Sequence, residues 1–183
     1  MKIGILTSTR ADFGIYTPLI KKLFDDSFFN PELIVFGTHL SKKHGYTISE
    51  IEKNGFPVKH KIETVPANDT PFDISQAIGQ TVIKFSEFWN TNKFDLVMAL
   101  GDRYEMFAAV TAGLPFNVTF GHIHAGETTL GAIDNALRHS ISLMSKYLFV
   151  STDEYKKRAA EITRKPDNVF VTGALSIDNL VNT

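Results

Sequence analysis

Residues 95–105 read DLVMALGDRYE. An apolar run, Asp95–Leu100, breaks at Gly101 and gives way at once to Asp102, Arg103 and Glu105. A run that is apolar throughout suits a strand covered on both faces. The next segment, Tyr104–Ala112, has the apolar spacing of a helix. Strand, turn and helix in that order form the repeating unit of a parallel sheet.

The same unit recurs in both directions. Further strands are expected at Lys2–Thr7, Glu32–Gly37, Val58–Glu63, Asn117–Ile123, Tyr147–Ser151 and Val169–Thr172. Helices are expected at Tyr16–Phe24, Asp73–Trp89, Ile133–Met144 and Asp153–Ile162. The alternation predicts an α/β, doubly wound parallel sheet. The closing stretch VFVTGALSIDNLVNT reads as a strand, a glycine turn and the start of another helix, as at the edge of a module.

The chain has 183 residues, 43% of them hydrophobic, a formal net charge of −1 and no cysteine. One large domain with a real core is expected. A near-neutral chain with scattered Lys and Arg argues against a broad nucleic-acid surface. Without cysteine there are no disulfides, thiolate nucleophiles or thiolate zinc sites, which suits a cytoplasmic protein. No apolar run approaches the ~20 residues of a membrane span.

In open parallel sheets ligands bind beyond the carboxyl ends of the strands, and polar groups without a packing role gather at four of these ends. Thr7–Gly14 (TSTRADFG) places Arg10 and Asp12 in a turn before a helix, a natural anion site. Phe36–Thr47 carries His39 and His44, a weak metal signal because i,i+4 spacing is absent. At Leu100–Glu105, Asp102 is placed to cap the following helix. The fourth end, GHIHAGETTLGAIDNALRHS from Gly121, is the richest. His122 and His124 alternate and so are expected on one side of the strand. Gly126 permits a sharp turn before Glu127. Asp134 and Arg138 are spaced as an i,i+4 helix pair, worth roughly 0.3–0.5 kcal/mol, and His139 follows. The dinucleotide GxGxxG pattern, a GxSxG elbow and a Walker A loop are all missing. Carboxylates beside histidines and arginines point to acid–base work on an anionic substrate, with arginines holding phosphate.

Four motifs in order, TSTRADFG, GTHLSKKHGYTISEIE, ALGDRYEMFAA and HIHAGETTLGAIDNALRHSISLMSKYLFVSTDEYKKR, resemble the hydrolysing UDP-N-acetylglucosamine 2-epimerases of sialic acid biosynthesis. The resemblance runs through nearly the whole chain. It implies a Rossmann-like domain forming one half of a two-domain GT-B fold, with residues 1–183 as the N-terminal domain and the C-terminal UDP-binding domain absent from this chain. It implies elimination of UDP to give 2-acetamidoglucal, then hydration to N-acetylmannosamine. A UDP-2,4-diacetamido-2,4,6-trideoxy sugar is an alternative substrate, and a non-catalytic sugar-nucleotide binding half-module an alternative role.

Carried over residue by residue, the resemblance makes Asp102, Glu127 and Asp134 the catalytic carboxylates, with Glu127 and Asp134 as the acid/base pair. Arg10, His39, His44, Arg103, His122, Arg138 and His139 would line the substrate cleft. His124 departs from the HxE pattern of many relatives. No metal and no cofactor are implied, and a homodimer is expected. The isolated chain, lacking half the cleft, is expected to be inactive or weakly active.

Overall fold

The computed structural model describes residues 1–64, 68, 70–129 and 133–181. Residues 130–132, within the fourth motif, and the last two residues lie outside them. Seven strands form one sheet: β1 (Lys2–Thr7), β2 (Asn30–Phe36), β3 (Val58–Ile62), β4 (Leu96–Leu100), β5 (Phe120–Ile123), β6 (Tyr147–Val150) and β7 (Val169–Val171). Their order is β3-β2-β1-β4-β5-β6-β7, and every pairing is parallel. Strand order reverses between β1 and β4, as a doubly wound sheet requires.

The helices are α1 (Arg10–Asp25), α2 (Ile48–Lys53), α3 (Pro71–Thr91), α4 (Tyr104–Gly113), α5 (Asp134–Met144), α6 (Asp153–Thr163) and α7 (Leu175–Val181). Ile3, Ile5, Leu33 and Val35 pack with Phe13, Tyr16 and Ile20 of α1 and Ile48 and Ile51 of α2. Leu6, Ile34, Val97, Ala99 and Phe120 point the other way, onto Phe85 and Trp89 of α3 and Met106 and Val110 of α4. This alternation explains why the central strands carry apolar residues at consecutive positions, as in LVMAL of β4: parallel strands are covered on both faces. Trp89 Nε1 donates to the Ala109 carbonyl at 3.1 Å, tying α3 to α4.

Three expectations change. The first helix begins at Arg10, six residues before Tyr16, because Thr9 caps it and Asp12 completes a capping box; such a cap is worth about 1 kcal/mol. The fifth strand begins at Phe120, since Asn117 adopts the left-handed region at φ 55° and ends the preceding turn. Helix α2 was not anticipated; it is short and buries only Ile48 and Ile51, too few apolar positions to show a period.

Pro18 lies inside α1. A proline has no N–H to offer the carbonyl four residues back, here that of Gly14. Asn179 of α7 donates to that carbonyl from its side chain at 2.9 Å. The gap in one helix thus becomes the attachment point of another.

Candidate active site

The sheet register builds the site. Leu100 sits opposite Ile123, and Ile123 opposite Phe149. The residues that follow these three strands therefore emerge side by side at one edge: Asp102 after β4, His124 and Glu127 after β5, Ser151 after β6.

Arg138 of α5 sits among them, 6% exposed. Its Nη2 donates to Asp102 Oδ2 and, at 3.2 Å, to Thr129 Oγ1. Its Nη1 donates to the His124 carbonyl at 2.9 Å and lies 3.7 Å from Glu127 Oε2. One guanidinium thereby holds two of the three expected carboxylates, and its planar fork is the reason arginine can serve here. The expected Asp134–Arg138 helix pair is replaced by this longer-range pairing. Asp134, half-buried in the first turn of α5, has no hydrogen bond or ion pair among the described residues. Nor does Asp102 cap α4: the N-cap is Arg103, with no side-chain cap bond, because Asp102 is drawn to Arg138.

His122 and His124 face different ways. β5 ends at Ile123, and His124 takes a left-handed φ of 64°, so the strand's alternation no longer governs it. His122 is fully buried under α5, with Nε2 donating to the Gly101 carbonyl at 2.7 Å and Nδ1 2.9 Å from Ser142 Oγ. Burial pushes its pKa down to about 3, the Gly101 carbonyl only partly opposing this. It is neutral and shapes the strand end from below. His124 Nδ1 donates to Glu127 Oε1 at 2.8 Å, while its Nε2 is enclosed without a partner among the described residues.

Gly126 makes the turn possible for two reasons. Its φ is +72°, and a Cβ there would lie 2.4 Å from the Tyr155 carbonyl oxygen of α6. Arg158 of α6 closes the same turn by donating to the Gly126 carbonyl at 3.1 Å.

The remaining expected residues are spread along the rim or beneath it. Arg103 forms a two-pronged pair with buried Glu105, at 3.2 and 2.8 Å. His139 follows Arg138 with its Nδ1 buried and unpartnered among the described residues; burial, then Arg138 and Arg158, lower its pKa. Arg10 is exposed and pairs with Glu50 at 2.9 Å. His44 lies on an exposed turn, 2.9 Å from Ser41 Oγ. His39 is wholly buried, between Thr7 Oγ1 at 3.0 Å and Thr47 Oγ1 at 2.8 Å. The expected anion site at the start of α1 is filled from within. Asp12 is buried and accepts from the Ser8 and Thr9 amides at 2.9 and 3.0 Å, and from the Thr7 and Ser8 hydroxyls.

Sequence reasoning passed over Ser151, Thr129 and Arg158 as functional residues. Ser151 left one signal, a polar residue closing an apolar strand beside the site strand; Arg158 left none, since it reads as one more cation on a solvated helix. Among the described residues no three His, Asp or Glu side chains are grouped as metal ligands, and no helix is long and apolar enough to cross a membrane. An apolar cavity of about 450 Å³ lies away from this cluster, between the sheet and helices α1 and α7, lined by Ile3, Leu23, Phe29, Met98 and Phe149 among others.

Fold and site together define a Rossmann-like domain that presents carboxylates, imidazoles and a buried arginine beyond its central strands. The chain belongs to the UDP-N-acetylglucosamine 2-epimerase family, which it matches over residues 21–183. It is 37% identical to polysialic acid biosynthesis protein P7 of Escherichia coli, over 99% of this chain and 46% of that protein. It is 34% identical to the hydrolysing UDP-N,N'-diacetylbacillosamine 2-epimerase of Legionella pneumophila, over 98% of this chain and 48% of that one. The crystal structure of UDP-GlcNAc 2-epimerase from Neisseria meningitidis, bound to UDP-GlcNAc, superposes with a TM-score of 0.85 over 99% of this chain and 48% of that chain. At 21% identity this last likeness speaks for the fold. The chain spans about half the length of the curated relatives it matches.

Proposed function

We propose that this chain forms one wall of the active site of a hydrolysing UDP-N-acetylglucosamine 2-epimerase, converting UDP-GlcNAc and water to N-acetylmannosamine and UDP. The observation that carries the reading is Arg138 holding Asp102 beside Glu127 at the ends of adjacent strands. Elimination at C1–C2 of a sugar nucleotide needs a base for the C2 proton, charge compensation for departing UDP, and a group to guide water. Asp102, Glu127 and Asp134 are the carboxylates for proton transfer. Arg103, Arg138 and His139 line or border this edge and suit the anionic leaving group. Arg10 and His44 occupy the rim above β1 and β2, while His39 and His122 support the loops from within. A second, UDP-binding domain facing this wall completes the cleft in this reading, and a UDP-sugar is its ligand. Exposed Phe72 and Ile83 on α3 suit self-association as a dimer.

A second substrate is favoured by one finding: relatives at 34% and 37% identity are named as hydrolysing diacetylbacillosamine 2-epimerases. The corresponding UDP-2,4-diacetamido-2,4,6-trideoxy sugar undergoes the same chemistry at C1 and C2. Incubation with either UDP-sugar in deuterated water tests both. The expected result is UDP release and a free 2-epimeric sugar with deuterium at C2, from this chain or from the chain continued to its relatives' length. If neither protein releases UDP from either sugar, the reading is wrong.

A further inference from the structure

The two carboxylate oxygens of Glu127 are in different situations. Oε1 accepts twice, from His124 Nδ1 at 2.8 Å and from the Ser151 hydroxyl at 2.9 Å. Oε2 makes no hydrogen bond among the described residues. It faces Arg138 Nη1 at 3.7 Å, beyond hydrogen-bond range. The side chain is 23% exposed, so the group is held but not sealed. We propose that Ser151 is a positioning residue of this site: with His124 it engages Oε1 of Glu127 and leaves Oε2 as the base that meets the substrate. This rests on the epimerase reading above and assigns within it an atom and a proton.

The geometry at His124 supports the assignment. A non-glycine residue at positive φ carries strain of about 1–3 kcal/mol, and an enclosed nitrogen without a partner is a further cost. Both occur at His124. Both accompany a conformation that brings Nδ1–H onto Glu127. Since a carboxylate only accepts, the proton must sit on Nδ1. Glu127 is thus fastened from β5 through His124 and from β6 through Ser151, so the torsion that aims Oε2 is fixed before substrate arrives.

In the first step Oε2 of Glu127 takes the proton from C2. The electrons of the C2–H bond form the C1–C2 double bond, the C1–O bond breaks, and its electron pair leaves on the β-phosphate oxygen of UDP. The charged and titratable groups around Glu127 are His124 beside it, His122 below on β5, Arg138 on α5 with Asp102 beyond it, and Arg158 on α6, which holds the Gly126 carbonyl. Burial alone would raise the Glu127 pKa. The hydrogen bond from His124, then that from Ser151, together with the Arg138 charge, outweigh it and hold the pKa below the usual carboxylate value. An ionised carboxylate at neutral pH is a base before it is an acid.

The test is a carbon-13 NMR titration of the Glu127 carboxyl in the purified chain and in Ser151→Ala and Ser151→Thr. Loss of a hydrogen bond to a charged acceptor is expected to raise the midpoint by about one pH unit in Ser151→Ala. Ser151→Thr keeps the hydroxyl and is expected to restore it. A midpoint in Ser151→Ala equal to that of the parent overturns the positioning role, whatever the change in thermal stability. With an active protein, the acid limb of kcat/KM is expected to move in the same direction with little change in KM; an unmoved limb overturns the base assignment. A titration shift, when neither this chain nor the chain continued to its relatives' length consumes a UDP-sugar, overturns the epimerase reading while the Ser151–Glu127 link stands. Turnover without the shift does the reverse.

Discussion

Arg138 donates to the main-chain carbonyl of His124 at 2.9 Å, across 14 positions within the fourth motif. That bond anchors the second turn of α5 to the residue whose left-handed backbone turns the chain out of β5. The same guanidinium then reaches Asp102 after β4. Helix, strand end and neighbouring strand end meet on one side chain.

Arg138→Lys is therefore expected to fail at several places together. A lysine is a point charge on a flexible stem and cannot serve Asp102, Thr129 and the His124 carbonyl in one plane. Asp102 is 22% exposed, so pairing it poorly costs less than the roughly 3–5 kcal/mol of a fully buried pair, and a drop of about 2 kcal/mol in urea-unfolding free energy is expected. UDP release in deuterated water should fall at least a hundredfold, on the order of what loss of one preorganised electrostatic group costs.

Gly126→Ala tests the turn that carries Glu127. The new Cβ would lie 2.4 Å from the Tyr155 carbonyl oxygen, and φ is +72°. A loss of about 2–4 kcal/mol is expected in urea titration. The Arg158 bond to the Gly126 carbonyl should weaken with it, so that Gly126→Ala and Arg158→Ala are non-additive.

Acid stability is expected to decline in two stages. Burial lowers the His122 pKa to about 3 against an ordinary 6.5. Between those values the unfolded chain binds more protons, so stability falls as pH drops from 6.5 toward 3. Glu32 is 3% exposed and takes contacts from His60 at 2.7 Å, Lys2 at 3.3 Å and Lys59. Burial would raise its pKa, but the hydrogen bonds from His60, Lys59 and Lys2 outweigh that and bring it from 4.5 to about 2. Its contribution is present above 4.5 and is lost as pH falls toward 2. Urea midpoints measured against pH should lose the upper stage in His122→Gln and the lower stage in Glu32→Gln.

The Pro18–Asn179 arrangement predicts a coupling. Asn179→Ala removes the only side-chain donor recorded at the Gly14 carbonyl among the described residues, and amide exchange in α7 is expected to quicken about five- to tenfold. In a Pro18→Ala background the alanine N–H serves Gly14 within α1, and Asn179→Ala should then have little effect. Equal effects of Asn179→Ala in both backgrounds would sink this account.

Much of the fold was legible in the residues because its cause is local. Strands covered on both faces must be apolar at consecutive positions, as in LVMAL of β4, and the helices between them must show a period near four. The strand ends announced themselves for the same reason: GDRYE and HIHAGE place charge where a core strand would have stayed apolar. Short α2 and the early start of α1 escaped, the first for want of a period, the second because its N-terminal turn is built from Thr9, Arg10 and Asp12, which look like loop.

The partners within the site belong to the tertiary structure. Asp102 and Arg138 look in the sequence like a helix cap and half of a helix ion pair, and only the register of β4 against β5 brings them together. Asp12 and His39 look like an open anion site and a solvated loop; in the folded chain Asp12 accepts from Ser8 and Thr9 of its own loop, His39 bridges Thr7 and Thr47, and both are buried. His124 reads as the twin of His122 until its positive φ turns it away. The residue types and their order along the chain set which elements form and which strand ends are polar. Which polar groups touch is decided by contacts between residues far apart in the chain, through strand register and a single left-handed turn, and no local periodicity encodes these.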